Sequence, residues 1–291
     1  MRIAVTGHEG QVARSIMERA STRENVSLVA IGRPELDLAQ PEMIKSALAG
    51  AQADLIVSAA AYTAVDQAED QPELAHVINA EGAGAVAAAA AELGVPVIHL
   101  STDYVFDGKS KQPYREDDQP APLGIYGASK LAGEKAVADA NPHHIILRTA
   151  WVYSPFGKNF IKTMLRLAAD CDEIAVVADQ WGNPTSALDI ADAILHIASR
   201  LQASGEERWG IYHLTGRGAV NWADFARYVF DTSSAHGGPH ARVRDIATSD
   251  YPTKAHRPAN SQLSNEKLAA AFGYAMPQWQ ESTRATVQRL V

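Results

Sequence analysis

The stretch Arg2-Ile3-Ala4-Val5-Thr6-Gly7-His8-Glu9-Gly10-Gln11-Val12-Ala13 decides how the rest of the chain is read. A short apolar run ends at Thr6. Glycines follow at positions 7 and 10, and a helical pattern runs from Gln11 to Ala20. The spacing Gly-x-x-Gly-x-x-Ala thus lies between a strand, Arg2 to Thr6, and a helix. In such a turn the first glycine permits a tight bend, and the second lets backbone approach a pyrophosphate. The small third residue lets helix and strand pack closely. The helix N-terminus favours the anion. A plain strand–helix turn uses the same residues, so the loop draws its weight from the pattern of the chain beyond it.

From there to residue 150 strands and helices alternate. Strands are expected at Val26 to Ile31, Leu55 to Ala59, Val95 to Leu100 and Ile145 to Thr149. Helices are expected at Pro41 to Ala49, Pro72 to Leu93 and Tyr126 to Asp139. The strands are short and nearly all apolar, as strands buried on both faces should be. The Ala-rich run from Gly82 to Ala91 suits a helix lying close to a sheet. This pattern predicts an α/β, Rossmann-type doubly wound parallel sheet. Beyond residue 150 Trp, Pro and Gly become frequent, as in Trp181-Gly182-Asn183-Pro184. Further helices are expected at Ala187 to Leu201, Trp222 to Phe230 and Ser282 to Leu290, with a strand at Gly210 to Leu214. The expected division is a dinucleotide-binding domain of residues 1–150, to which 186–215 returns. A smaller mixed α/β substrate domain takes 151–185 and 216–291.

Composition narrows the function. The 291 residues include one cysteine, Cys171, so no internal disulfide and no multi-cysteine zinc site can form. Hydrophobic residues at 46% and charged residues at 21% argue against wholesale disorder. The net charge of -8 disfavours a nucleic-acid partner, which needs clustered Lys and Arg. The apolar run at the start is too short for a secretory leader, and no window of about 18 apolar residues marks a membrane span. A cytoplasmic protein without membrane or nucleic-acid partners is the expectation.

Two further segments carry chemistry. The end of the second expected strand, where an acid would favour NAD, reads Gly32-Arg33. Arg33 either pairs with a 2′-phosphate, tilting preference towards NADPH over NADH, or simply faces solvent. Tyr126-Gly127-Ala128-Ser129-Lys130 places Tyr126 and Lys130 on one helix face. An ammonium beside a phenol lowers its pKa, so the tyrosine can give a proton to an alkoxide as hydride arrives. Such a pair is common, but Ser101-Thr102-Asp103-Tyr104-Val105-Phe106 stands upstream at a strand's carboxyl end, where ligands bind in open parallel sheets. There Thr102 can hydrogen-bond a substrate carbonyl.

The glycine loop, Ala59-Ala60-Ala61, Thr102 and Tyr126 with Lys130 together resemble the extended short-chain dehydrogenase/reductases. Segments Ala59 to Asp66, Ser101 to Gly108, Tyr126 to Glu134, Arg148 to Tyr153, Asp179 to Thr185 and Arg257 to Ser261 extend the likeness along nearly the whole chain. The resemblance implies Thr102, Tyr126 and Lys130 as the catalytic set. It also implies a cofactor site of Gly7, Gly10, Gln11, Val12, Arg33, Asp37, Leu38, Ala61, Tyr62, Thr63 and Leu100, with Tyr126 and Lys130. The substrate would be a nucleotide-diphosphate sugar met by Thr102, Asp103, Trp151 and Arg257. The implied reaction is NAD(P)H-dependent reduction of a 4-keto-6-deoxysugar. An epimerase or dehydratase that recycles its cofactor, and a non-catalytic subunit, are the rival readings. Some relatives are magnesium-bridged dimers through glutamates. Ser15 and Leu188 stand in the corresponding places, so no metal is expected and a homodimer stays open.

Other signals carry less. His8-Glu9 begins a zinc motif that Val12 breaks, and Gly-Gly-Pro between His236 and His240 breaks a helix. His143-His144 and Glu116-Asp117-Asp118 read as surface turns. Cys171, between two aspartates, makes a poor nucleophile.

Overall fold

The computed structural model describes residues 1–204 and 208–291. Its centre is a six-stranded, wholly parallel sheet. Five of its strands are β1 (Arg2–Thr6), β2 (Ser27–Ile31), β3 (Leu55–Ser58), β4 (Val97–Thr102) and β5 (His144–Thr149). The sixth is Gly210–His213, and the spatial order is Gly210–His213, β5, β4, β3, β1, β2. Ile3 pairs with Leu28 on one side and Leu55 on the other. Strand order therefore reverses at β1, and a crevice opens between the carboxyl ends of β1 and β3, the place where such sheets bind ligands.

Period-two alternation gives the sheet two apolar faces. Ile3, Val5, Val57, Ile98, Leu100 and Leu147 pack towards helix α1 (Gln11–Ala20) and the helix Ala187–Ser204. Ala4, Ile56, Val97 and Ile146 pack towards α2 (Pro41–Ala51) and the helix Gly82–Glu92. Each fully buried aliphatic side chain contributes about 1.5–3 kcal/mol.

Three departures from the sequence-based expectations bear on the site. First, β4 begins at Val97 and runs to Thr102, because its ladder with β5 continues to the Thr102–Thr149 pair. Second, the helix expected from Pro72 to Leu93 is interrupted by a π turn, Val77–Glu81. By length and hydropathy the stretch Pro72–Glu92 could cross a bilayer, but half of it is buried within the protein. Third, a parallel strand pair, Glu173–Val177 with Arg242–Ile246, builds part of the second half. The latter strand is mostly exposed and charged, so it carries no apolar run to predict it. Around this pair a separate core gathers Tyr153, Ile161, Phe225, Val229, Trp279 and Val287.

Candidate active site

The glycine loop fills the crevice at the end of β1. Gly7 has φ +83 and donates its N–H to Ile31 O at 2.6 Å, a conformation that costs glycine nothing. Gly10 is the N-cap of α1, and no side chain caps that first turn. A Cβ built on Gly10 would meet no protein atom within 4 Å. Nothing in the protein demands glycine there, and the open space with uncapped amides in front of it fits a diphosphate. Gln11 spends its side chain on Ser154 and Asn159, at 2.9 and 3.0 Å. Its side-chain carbonyl oxygen is thereby taken, and its backbone N–H lies in the first turn of α1. The Thr6 hydroxyl accepts the N–H groups of both Ala59 and Ala60 at 3.0 Å, joining the loop after β3 to β1.

Ala61, Tyr62 and Thr63 follow on that loop. The π turn fixes their position: Asn79, 1% exposed, accepts from Tyr62 N at 2.8 Å through Oδ1. Its Nδ2 donates to Tyr62 O at 3.1 Å and to Ser129 Oγ at 3.0 Å. One amide thereby ties the cofactor-side loop to the Tyr126 helix, and π bulges commonly mark such sites. Asn79→Ala, which strands these partners, is expected to cost about 1–3 kcal/mol in chemical denaturation, with weaker cofactor binding in a titration. An unchanged unfolding midpoint and unchanged binding would refute the role.

The remaining cofactor candidates are scattered around β2. Arg33 is exposed at its outer end, beside a cavity of about 580 Å³ lined by His8, Ile31, Gly32 and Glu35 among others. Asp37 accepts the N–H of Ala39 at 3.0 Å, and the Leu38 side chain lies within the core, so that residue offers only backbone outward.

The helix Ile125–Ala140 carries the Tyr and the Lys. Its first N–H is capped by Glu69 at 2.9 Å. It approaches its neighbours by backbone: a Cβ on Gly127 would sit 2.1 Å from Tyr104 O, and one on Gly133 2.0 Å from Asn79 O. Tyr126 meets Tyr104 edge-on at 5.4 Å. Lys130, 2% exposed, donates to Leu100 O at 2.6 Å and contacts His99 Nε2 at 3.3 Å. Glu134, one turn on, is held by Arg148 at 2.9 and 2.7 Å and by Ser101 at 2.5 Å, all buried.

The electrostatics correct one expectation. The ammonium of Lys130 is engaged with Leu100 O and His99, and the net shift of the phenol is upward, not downward. Burial pushes Tyr126 up to about 12, with the Thr102 hydroxyl opposing and Asp103 adding to the shift. Burial brings Lys130 down to about 8, against the pull of Glu134. The phenol is therefore kept neutral, as a proton donor must be. Beside it Thr102 donates to Asp103 Oδ1 at 3.0 Å and accepts from Tyr104 N at 3.2 Å. Asp103 is 3% exposed. Burial raises it to about 6, against the hydroxyls of Ser261 and Thr102. Its Oδ2 has no hydrogen-bond partner among the described residues.

Just beyond the carboxyl end of β5 Trp151 adopts φ +49, and its ring stacks on Trp222 with centroids 3.5 Å apart. Gly182 lies so close that a Cβ there would be 2.4 Å from the indole. Arg257 is paired with Asp66 at 2.9 and 3.2 Å. Thr102, Asp103, Tyr126 and Lys130 thus gather at one end of β4 and the helix beside it, while Arg33, Asp37 and Leu38 lie around β2. Sequence reasoning missed Thr6, Asn79 and His99, which look like ordinary core residues. It also missed Asp66, although the segment that carried the resemblance includes it.

Comparison with known proteins agrees along the whole length. A family model described as RmlD substrate binding domain matches residues 1–291. The dTDP-4-dehydrorhamnose reductase of Sinorhizobium fredii is 52% identical over 292 residues, covering 100% of this chain and 98% of that protein. A solved dTDP-4-dehydrorhamnose reductase from Clostridium acetobutylicum superposes with a TM-score of 0.92 at 36% identity, covering 100% of this chain and 99% of that one. One from Bacillus anthracis, solved in complex with NADP, gives 0.89 at 34% identity, covering 98% of each.

Proposed function

Since this chain belongs to the RmlD substrate binding domain family, we propose that it acts as an NAD(P)H-dependent oxidoreductase on a nucleotide sugar. It reduces the 4-keto group of dTDP-6-deoxy-L-lyxo-4-hexulose (dTDP-4-dehydrorhamnose), giving dTDP-L-rhamnose. The observation that carries this reading is full-length likeness to such reductases together with Thr102, Tyr126 and Lys130 gathered at one end of β4.

The bound dinucleotide supplies the hydride. The backbone of Gly10, Gln11 and Val12 holds its pyrophosphate at the uncapped start of α1. Gly7 shapes the turn, and Ala61, Tyr62, Thr63 and Leu100 flank the cofactor's middle and nicotinamide end. Asp37 and Leu38 lie towards the adenine, and Arg33 leans preference to NADPH. Lys130 offers an N–H to the ribose hydroxyls. Thr102 turns its hydroxyl hydrogen from Asp103 Oδ1 to the sugar carbonyl, and Tyr126 donates its proton to the alkoxide oxygen. Asp103, with its unpartnered oxygen, takes a sugar hydroxyl, and Trp151 supplies a flat wall. Arg257 turns from Asp66 to the substrate diphosphate. Residues 1–150 with 186–215 carry the cofactor, and 151–185 with 216–291 carry the sugar. The enzyme works in the cytoplasm, alone or as a homodimer, without membrane or nucleic-acid partners. Ser15, fully buried and bonded to Gln11 O, offers no bridge through a metal.

The test is incubation with dTDP-6-deoxy-L-lyxo-4-hexulose and NADPH. Stoichiometric loss of reduced-nicotinamide absorbance with formation of dTDP-L-rhamnose is expected. Folded protein that leaves both reactants untouched overturns the reading. Tightly retained NAD and turnover without added reductant would assign an epimerase or dehydratase instead.

A further inference from the structure

His99 is 1% exposed, lies in β4 three residues before Thr102, and has a partner on each ring nitrogen. Nδ1 is 3.1 Å from Ser58 Oγ and Nε2 is 3.3 Å from Lys130 Nζ. An ammonium only donates, so Nε2 must be the acceptor. In a neutral ring the hydrogen then sits on Nδ1 and is given to the Ser58 hydroxyl. Burial, and next the charge of Lys130, hold His99 well below the ordinary histidine range, so the ring stays neutral. Leu100 O takes a second hydrogen of the ammonium. Two of three N–H groups are thereby directed at β4, and the third is left for ligand or phenol.

We propose that His99 is a positioning residue of the reductase site: a neutral imidazole, fixed in one tautomer by Ser58, that holds the Lys130 ammonium in its charged form and aims it. The proposal rests on Lys130 serving as the ribose-binding ammonium of that site. The charged and titratable groups around it are Tyr126 and Glu134 on its own helix, His99 on β4 and, behind Glu134, Arg148 on β5. Among these groups His99 is the one within hydrogen-bond distance of the ammonium, and it meets the ammonium uncharged. Without that acceptor, a buried ammonium loses a charge-assisted hydrogen bond and gives up its proton more easily.

The experiment compares His99→Leu, His99→Gln and Ser58→Ala. In His99→Leu, kcat should fall at least about tenfold, the size of one lost charge-assisted bond, with KM for the nucleotide sugar little changed. The NMR titration of the Lys130 side chain, followed without substrate, should move to lower pH. His99→Gln, whose carbonyl can accept from Lys130 and whose amide can donate to Ser58, should recover most of both. Ser58→Ala, which removes only the tautomer lock, should give an intermediate loss and serves if His99→Leu does not fold. An unmoved Lys130 titration in folded His99→Leu, or in Ser58→Ala if only that variant folds, overturns the proposal. So does a His99→Gln protein as impaired as His99→Leu. A shifted titration in a protein inactive on the keto sugar would instead fault the substrate assignment.

Discussion

Tyr126→Phe should turn over roughly 10²–10⁴ times more slowly than the parent protein, the usual worth of a positioned proton donor, while still binding the dinucleotide. The change removes one oxygen and leaves the ring, so the edge-on contact with Tyr104 survives and the fold should be nearly undisturbed. What disappears is the proton for the developing alkoxide. Lys130 has two of its three N–H groups held by Leu100 O and His99, and the third is assigned to the cofactor's ribose, so it does not take over the donation. Single-turnover kinetics with cofactor titration separate the two effects, and turnover within a few fold of the parent would remove Tyr126 from its assigned role. The pH dependence comes from the same pair. Tyr126 loses its proton only near about 12, whereas Lys130 loses its own near about 8. In kcat/KM, which reports the free enzyme, the alkaline fall should therefore begin as pH rises through about 8 and follow the lysine. A plateau extending to pH 10 would contradict that assignment.

Gly10→Val should abolish dinucleotide binding, weakening it by at least about a hundredfold, with little change in stability. The two halves of that expectation come from different observations. Gly10 has φ -66 and ψ 150, which any residue adopts, and a Cβ there meets nothing within 4 Å. Glycine is a passable N-cap that valine replaces at about 1 kcal/mol or less. The ligand bears the cost, because a branched side chain would stand where the pyrophosphate meets the uncapped amides of α1. Calorimetric titration with NADPH and a thermal melt read the two quantities separately. Binding within about threefold of the parent would mean that the anion sits elsewhere.

These two residues also mark how far the sequence could be read. Gly10 and Tyr126 were legible because their spacing is their function: a glycine between strand and helix, and a lysine one turn after a tyrosine. The sheet was legible because strands buried on both faces must be short apolar runs. The π turn was not, since Val77-Ile78-Asn79-Ala80-Glu81 runs into an Ala-rich stretch with little apolar periodicity for an extra residue per turn to break. Asn79 and His99 were hidden for a related reason. A buried polar residue looks the same in sequence whether it satisfies its own neighbourhood or orients a reacting group. Only partners such as Tyr62 and Lys130, 17 and 31 residues away, distinguish the cases. The expectation that lysine lowers the tyrosine pKa failed because helix spacing puts the two on one face without saying where the long lysine stem ends.

The two glycines at which the Tyr126 helix meets backbone oxygens have a mechanical consequence. Tyr104 O and Asn79 O press against the helix at Gly127 and Gly133, six positions apart, with no side chain between to act as a cushion. Like two dowels in a plate, they index the helix against sliding and against turning. The proton donor therefore sits on a fixed datum. Any adjustment that admits a sugar nucleotide is left to elements other than this helix.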